Sequence, residues 1–548
     1  MIPKIENSER QDDGEGNAPC GLSKGRQWDS ESPSSPEGSP EGSSAEQPSL
    51  RNQIVASLAV GLGHMGIGCV LGMSAIPYLR PEGARQQRRL LEQSSGGVED
   101  SVQSSGSLQL MLFDDTLFNT AVFLAASLGC MATGGLQVTF GQKKIMLLAL
   151  ICLFFGWVVL ATSDSLLVSL TSRVIQGLAW GAFFGSSFTY ILEMSHARVR
   201  GSLVVVSDVF TEVGHCVVYG LADLYFERYQ LILMFGFFTT LAPIAWLIWL
   251  PQSPRWLVYK NLTDEAYVAL ENFRGAHYDS QVELFSIQRQ RKVTVMSAND
   301  QMQEMHLPAI IMTILFSALL LITVHFTYTQ SSGVSVLTVT QQDDVTYSTA
   351  IVSGLIRLSG SIVCAVAVDF AGRKPLYVIS FLLCSAASLV LGSLRYDELR
   401  QSRDDLNCLF VSIRSIFVFF GGMTFPLLKL WLGESFPTSV RSTALGFLNS
   451  LFYLAAVLAS ETHQKIILSI GRHGTLWLIS FMNLSMAAIG WFWLPETKRK
   501  SLERITDEFY GPCTPLEGVS CENLISNKGE VEEREEEKEE EEVIVISW

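Results

Sequence analysis

The sequence predicts an all-α membrane protein of twelve transmembrane helices in two pseudo-symmetric six-helix bundles. Three observations carry this. The 548 residues are 48 % apolar and only 17 % charged, with a mean hydropathy of +0.27, whereas soluble domains are roughly a quarter charged. The apolar residues gather into runs such as 145–162, 231–250 and 376–394, and a run of about 20 matches the ~30 Å hydrocarbon core of a bilayer. Short motifs also recur in both halves of the chain, in the same order. This pattern excludes a soluble enzyme, a nucleic-acid binder and a disulfide scaffold. It also excludes a β-barrel, whose strands would alternate over ~10 residues.

Residues 1–51 come first and are rich in Ser, Pro, Gly and Glu (SPSSPEGSPEGSS). Such a stretch buries too little apolar surface to offset its ordering entropy, so a disordered tail is expected. It has no apolar h-region and does not read as a signal peptide. Spans follow at about 52–78, 112–138, 144–162, 165–192, 201–224 and 229–250, then at 307–329, 346–369, 374–394, 407–433, 441–463 and 474–494. The N-terminal bundle is thus 52–250 and the C-terminal bundle 307–508, joined by a 251–306 loop with short amphipathic helices (LTDEAYVALENF). A tail at 509–548 closes the chain. Its run 530–542 holds ten Glu against Arg534 and Lys538 and reads as a solvated tail, with a protein partner as the alternative.

An even number of spans puts both tails on one side. Lys and Arg accumulate in alternate loops, at 142–144, 196–200, 251–306, 372–374, Arg441 and 498–500. The positive-inside rule makes these loops and both tails cytoplasmic, and the plasma membrane is the expected location. The loop 79–110 dissents, carrying Arg80, Arg85, Arg88 and Arg89, yet is expected outside. The sequon Asn261-Leu-Thr then faces the cytoplasm and is expected to stay unused.

The ten cysteines are scattered and form no C-x-x-C pair, so neither zinc nor thiol–disulfide chemistry is expected. No nucleophile–base or metal-ligand constellation stands out, and neither catalysis nor a cofactor is expected. Gly61-Leu-Gly63-His64-Met-Gly66 lies inside an apolar span with no preceding strand. Small residues there suit close helix packing rather than a nucleotide. His64 is either hydrogen-bonded within the bundle or lines a cavity.

The repeats are specific. Glu193 precedes Arg200, and Glu434 precedes Arg441, by the same seven residues. FGQKK at 140–144 matches AGRKP at 371–375, and LPQSPR at 250–255 matches LPETKR at 494–499. The three offsets are 241, 231 and 244 residues, which marks a duplicated six-helix unit. Duplicated halves recur in transporters, with the substrate site at their interface near the midplane. Glu and Arg just beyond helix ends can pair there, since the guanidinium fork matches a carboxylate.

Asp369-Phe-Ala-Gly372-Arg373-Lys374, PQSPRW at 251–256, Glu193…Arg200-Gly201, Glu434-Ser-Phe-Pro437…Arg441, PETK at 495–498 and Arg173…Gly177…Gly181 resemble motifs of the sugar porter family of the major facilitator superfamily. The resemblance spans about residues 52–508. Within the family, the stretches ending in Tyr219 and at 266–279 look closest to insect trehalose-facilitator-like members. It implies alternating access for a small-molecule solute, by uniport or proton coupling, with Glu193, Arg200, Arg255, Asp369, Arg373, Glu434 and Arg441 as gating residues.

The resemblance weakens where a sugar would bind. In the seventh span Gln330 is kept, but the family's first Gln is Thr329 and its Asn is Ser335. In the tenth span Pro426 remains, while Lys429 takes the place of Trp. Asn449 in the eleventh is kept. Arg357 stands where an Asn is expected, and Asp208 where glucose carriers have Gln. The first-half loop has Val138 for Asp, with Thr139 and Gln142 for two Arg. Gln252 replaces a Glu, and His196 a Pro.

The new charges obey their own logic. Asp208, Glu212 and His215 share one helix face by their i, i+4, i+7 spacing. Glu212 lies ~16 Å past Gly201, and Arg357 ~18 Å before Asp369, at ~1.5 Å per residue. A charge that deep costs about 2.5–3.5 kcal/mol on insertion scales and needs water or a partner. The resemblance implies that the fifth and eighth spans meet across the bundle interface, so Glu212 or Asp208 is expected to pair with Arg357. Lys429 either lines the cavity or snorkels outward. The function expected is transport of a sugar or similar polar solute. The alternatives are a carrier of a charged organic solute on the same fold, and a non-transporting receptor.

Overall fold

A computed structural model describes residues 48–74, 101–163, 165–222, 228–275, 277–297, 347–398 and 407–510. Residues 1–47 and 511–548 of the expected disordered tails, the loop from 79 to 100, the seventh span with Thr329, Gln330 and Ser335, and the acidic run lie outside the described residues, while Arg51 and residues 509–510, assigned to those tails, are helical. Every regular element among the described residues is helical.

The N-terminal half contains α1 (Arg51–Ser74), α2 (Ser101–Phe140), α3 (Gln142–Ala161), α4 (Leu166–Met194) and α5 (Arg200–Ala222). Its last helix, α6, runs through Arg228–Gly236, a π-helical turn Phe237–Leu241, and Ala242–Trp249. Three short helices follow: α7 (Pro254–Tyr259), α8 (Thr263–Arg274) and α9 (Ser280–Ser297). The C-terminal half contains α10 (Tyr347–Ala371), α11 (Arg373–Glu398), α12 (Asn407–Ser435) and α13 (Thr438–Trp493), then α14 (Leu502–Tyr510). α13 is broken by left-handed Gly471 (φ 75°) and supplies two membrane spans, Val440–Ala459 and Lys465–Trp493.

Ten described spans are long and apolar enough to cross a membrane, and α4, also predicted to cross, packs among them. α2 starts at Ser101, so residues 101–110, expected as loop, are helical. No proline interrupts 101–112, and helical bonding runs on past the apolar stretch.

Packing follows the duplication. α1 lies on α5, and α2 and α3 on α4; in the other half α10 and α11 lie on α12. The halves meet along α2 with α13 and along α5 with α10. The repeat exchanges α2 with α10 and α5 with the first span of α13, so the two seams are counterparts. Leu128, Met131, Phe155, Phe481 and Phe492 are exposed on outer faces that suit lipid, where helices satisfy their own backbone groups.

Glycine sets the closest approaches. A Cβ on Gly68 would stand 2.0 Å from the Thr211 carbonyl oxygen, and one on Gly214 2.2 Å from that of Met65. The backbones of α1 and α5 therefore touch. Gly61 and Gly63 are crowded by the rings of Phe210 and Phe183, the helix-packing role expected of that stretch. Without a hydrophobic drive between helices in lipid, such contact is what joins them. Gly214→Val should destabilise the protein by about 1–3 kcal/mol or more, the usual cost of overpacking, while Gly220→Ala, with open space at its Cβ, should not. Thermal melting of the purified full-length variants checks this; equal melting temperatures would refute the contact.

Candidate functional site

The functional side chains lie at two levels, one at the ends of the helices and one within them. At the end level, Glu434 on α12 is completely buried. It accepts from Arg200 Nε across the seam at 2.7 Å, and from Arg373 Nη2 and Nε of its own half at 3.2 and 3.3 Å. The Thr497 hydroxyl donates to its other side. Arg373 Nη1 also lies 3.0 Å from Asp369, which accepts from the Ser202 N–H and hydroxyl at 2.7 and 2.6 Å. Asp369 thus caps the first turn of α5, where a carboxylate is favoured by the free N–H groups.

Glu496 does the same for α11, accepting from the N–H groups of Arg373 and Lys374 at 3.0 and 3.1 Å. Gly372 (φ 99°) makes the turn that brings them there. In the first half, Gln252 Oε1 accepts from the Lys143 N–H at 3.0 Å, beside left-handed Gly141 (φ 83°). Gln at 252 therefore keeps one acceptor, while the charge and the second acceptor of the counterpart Glu496 are given up.

Glu193 accepts from Gln142 Nε2 at 3.0 Å and from the Ser253 hydroxyl. Arg441 Nη1 comes no nearer than 3.9 Å. Arg255 pairs with Glu503 of α14. Burial pushes the Glu503 carboxyl up, but the adjacent Arg255 guanidinium outweighs this and holds it down to about 2. Arg274 binds Glu283 through Nε and Nη2, and the Met194 carbonyl through Nη1, fastening α8 and α9 to the end of α4.

Inside the helices, Asp208, Glu212 and His215 lie along α5, all buried. Arg357 Nε of α10 donates to Glu212 at 2.6 Å, and His215 Nδ1 is 3.4 Å from the same oxygen. This is the pairing the spacing predicted. Lys429 Nζ of α12 donates to Asp208 at 3.0 Å and contacts Ser207 at 3.4 Å. It also sits over the rings of Phe184 and Phe188, 4.6 and 4.9 Å from their centroids. Lys429 turns inward rather than snorkelling. Asn449 is buried on α13, and its Nδ2 has no partner among the described residues. Next to it, Ser450 joins Ser127 of α2 across the seam at 2.8 Å. His64 bonds Ser187 at 2.8 Å.

Spacing alone missed Thr497, Ser253, Glu496, Ser202, Glu503, Phe184 and Phe188. The first three sit at matched positions of the LPQSPR and LPETKR repeats, which could have exposed them. Nothing local marks the two phenylalanines as partners of Lys429.

Duplicated helices, two counterpart seams and charges that join the halves at one end define a multi-pass membrane carrier with the major facilitator fold. The chain belongs to the family described as sugar (and other) transporter, whose sequence model matches residues 92–509. It is similar to a facilitated trehalose transporter of Bombyx mori, 26 % identical over 492 residues, covering 86 % of this chain and 89 % of that protein. It is also similar to the arabinose–proton symporter of Bacillus subtilis, 23 % identical and covering 72 % of this chain and 86 % of the relative. Among solved structures, the proton:xylose symporter XylE bound to 6-bromo-6-deoxy-D-glucose superposes with a TM-score of 0.66 at 18 % identity, over 83 % of this chain and 99 % of that one.

Arg357→Ala and Glu212→Ala should each lower the yield of folded protein, since stranding one member of a buried pair costs about 3–5 kcal/mol. The double variant Arg357→Met with Glu212→Gln should recover much of the loss. Size-exclusion profiles and melting of the four proteins test this. A double variant no better than the worse single one would mean that the contact contributes nothing.

Proposed function

We propose that this protein carries a neutral sugar or similar small polar solute across a membrane by alternating access. It belongs to a family of transporters rather than enzymes. The balance of the four charges facing the α5 seam favours a neutral solute. Asp208 and Glu212 are matched by Lys429 and Arg357, so the four side chains sum to zero. A charged organic solute would have to compete with one of these pairs, and a buried charge left without its partner is costly. Asp208, Glu212, Arg357, Lys429 and Asn449 are proposed to border the substrate path with Thr329, Gln330 and Ser335. The Glu193, Arg200, Arg255, Asp369, Arg373, Glu434 and Arg441 group is proposed as the gate.

Proteoliposomes containing the full chain should take up labelled trehalose, glucose, xylose or arabinose saturably, and a panel of organic anions and cations no faster than empty vesicles. Uptake confined to an ion would replace this reading with the charged-solute one. No uptake of any solute by well-folded protein would favour a receptor.

The basic loops and both tails are proposed to face the cytoplasm, with the protein in the plasma membrane. An epitope inserted near Ser95 should stain intact cells, and one in the 530–542 tail only permeabilised cells. The reverse pattern would invert the sidedness of the gate.

A further inference from the structure

The repeat supplies an internal control for the gate. Aligned motifs relate Val138 to Asp369, Gln142 to Arg373, Glu193 to Glu434, Arg200 to Arg441 and Ser253 to Thr497. Both carboxylates are buried, at 4 % and 0 % exposure, and both accept from the hydroxyl at the matched position. Beyond that the two sides differ. Glu434 receives two guanidinium groups, one from each half. Glu193 receives a neutral amide where the counterpart is Arg373. The counterpart of Arg200 is Arg441, which turns Nε and Nη2 onto the Phe436 carbonyl of its own half, at 3.1 and 2.8 Å. Its approach to Glu193 is 3.9 Å, against 2.7 Å for Arg200 to Glu434.

The cap is missing as well. Asp369 reaches across the seam to Ser202, but its counterpart Val138 has no side-chain oxygen to offer Thr443, the counterpart of Ser202, and its carbonyl accepts from Trp256 Nε1. A cavity of about 30 Å³ lies at this place, bordered by Val138, Gln142, Glu193, Arg255, Thr438 and Ser442. That is room for a water molecule or two. Arg255 and Glu503 pair nearby, but they join the peripheral helices α7 and α14, not the helices that carry Glu193 and Arg441.

We propose that the gate is unequal. The Glu434 side holds the two halves together, the Glu193 side yields first, and Val138, standing where the other side has the capping Asp369, is the position that sets the difference. Across the seam Arg200 closes to 2.7 Å on Glu434, whereas Arg441 stays 3.9 Å from Glu193, and Asp369 caps α5 while Val138 caps nothing, so the Glu193 side has the lesser hold on the other half. Water already has a place beside it. The inference rests on the alternating-access reading, because inequality matters only if this end opens.

The test reads distance rather than transport. Spin-label amino acids are incorporated at Lys144 and Ala371 of the full chain in lipid nanodiscs. Both positions are exposed, and each flanks one of the two matched turns. Pulsed dipolar spectroscopy then gives the separation of the halves at this end. Glu434→Gln should convert the short-distance population severalfold to longer distances, while Glu193→Gln should change it less than twofold. Val138→Asp, which gives Thr443 the cap that Asp369 gives Ser202, should raise the short-distance population severalfold. If Glu434→Gln fails to fold, Arg200→Gln against Arg441→Gln gives the same ranking. Equal opening by the two members of either comparison, or no change with Val138→Asp, overturns the inequality while leaving alternating access intact. A single fixed distance in every variant overturns both.

Discussion

A carboxylate sealed from water must be given positive charge, and in this protein that charge comes from both halves at once. Glu434 is fully buried, and an ion so placed is tolerated only with close partners. Arg373 arrives from its own half and Arg200 from the other. Arg373 and Thr497 reach both carboxylate oxygens from within the half, and Arg200 adds the shortest guanidinium contact, 2.7 Å, from the other. The local architecture answers to this need: Gly372 turns the chain so that Arg373 points inward, Asp369 and Glu496 cap the helices that carry the two arginines, and Thr497 fills the last acceptor position. One desolvated charge thus makes the closed arrangement a property of the pair of bundles.

The same rule acts deeper, at Glu212 with Arg357 and Asp208 with Lys429. Both acids belong to α5, whereas both cations come from the other half, on α10 and α12. α5 is therefore the member that the C-terminal half grips at two depths. The glycine contact of α5 with α1 passes that grip into the N-terminal bundle, because touching backbones leave little room for one helix to move without the other.

Much of this was legible in the chain. The spans could be read because a bilayer imposes length and composition, and the cluster of charges at the helix ends because Glu and Arg recur seven apart in both halves. The Glu212–Arg357 pair could be read because two buried charges at like depth, on spans that the family resemblance makes neighbours, have few other solutions. Helix neighbours that depend on packing could not. Spacing left Lys429 free to go outward or inward, and Asp208, Phe184 and Phe188 decided the matter from two other helices. Nor does the repeated Glu–Arg spacing reveal that Arg441 turns home to Phe436 while Arg200 crosses the seam. The helical start at Ser101 also escaped, because hydropathy marks where lipid begins and not where backbone bonding stops.

The seat of Lys429 has a kinetic meaning. Its ammonium is held by two ring faces of α4 and one carboxylate of α5. Attraction to a ring face exists only at close range, and for a desolvated cation reaches about 2 kcal/mol or more. A small withdrawal of α12 would remove both rings and the carboxylate together, before water could enter to replace them. The resistance to parting is therefore concentrated in the first ångströms of travel. A joint of that kind is brittle: it stays shut under small fluctuations and, once started, separates in one step.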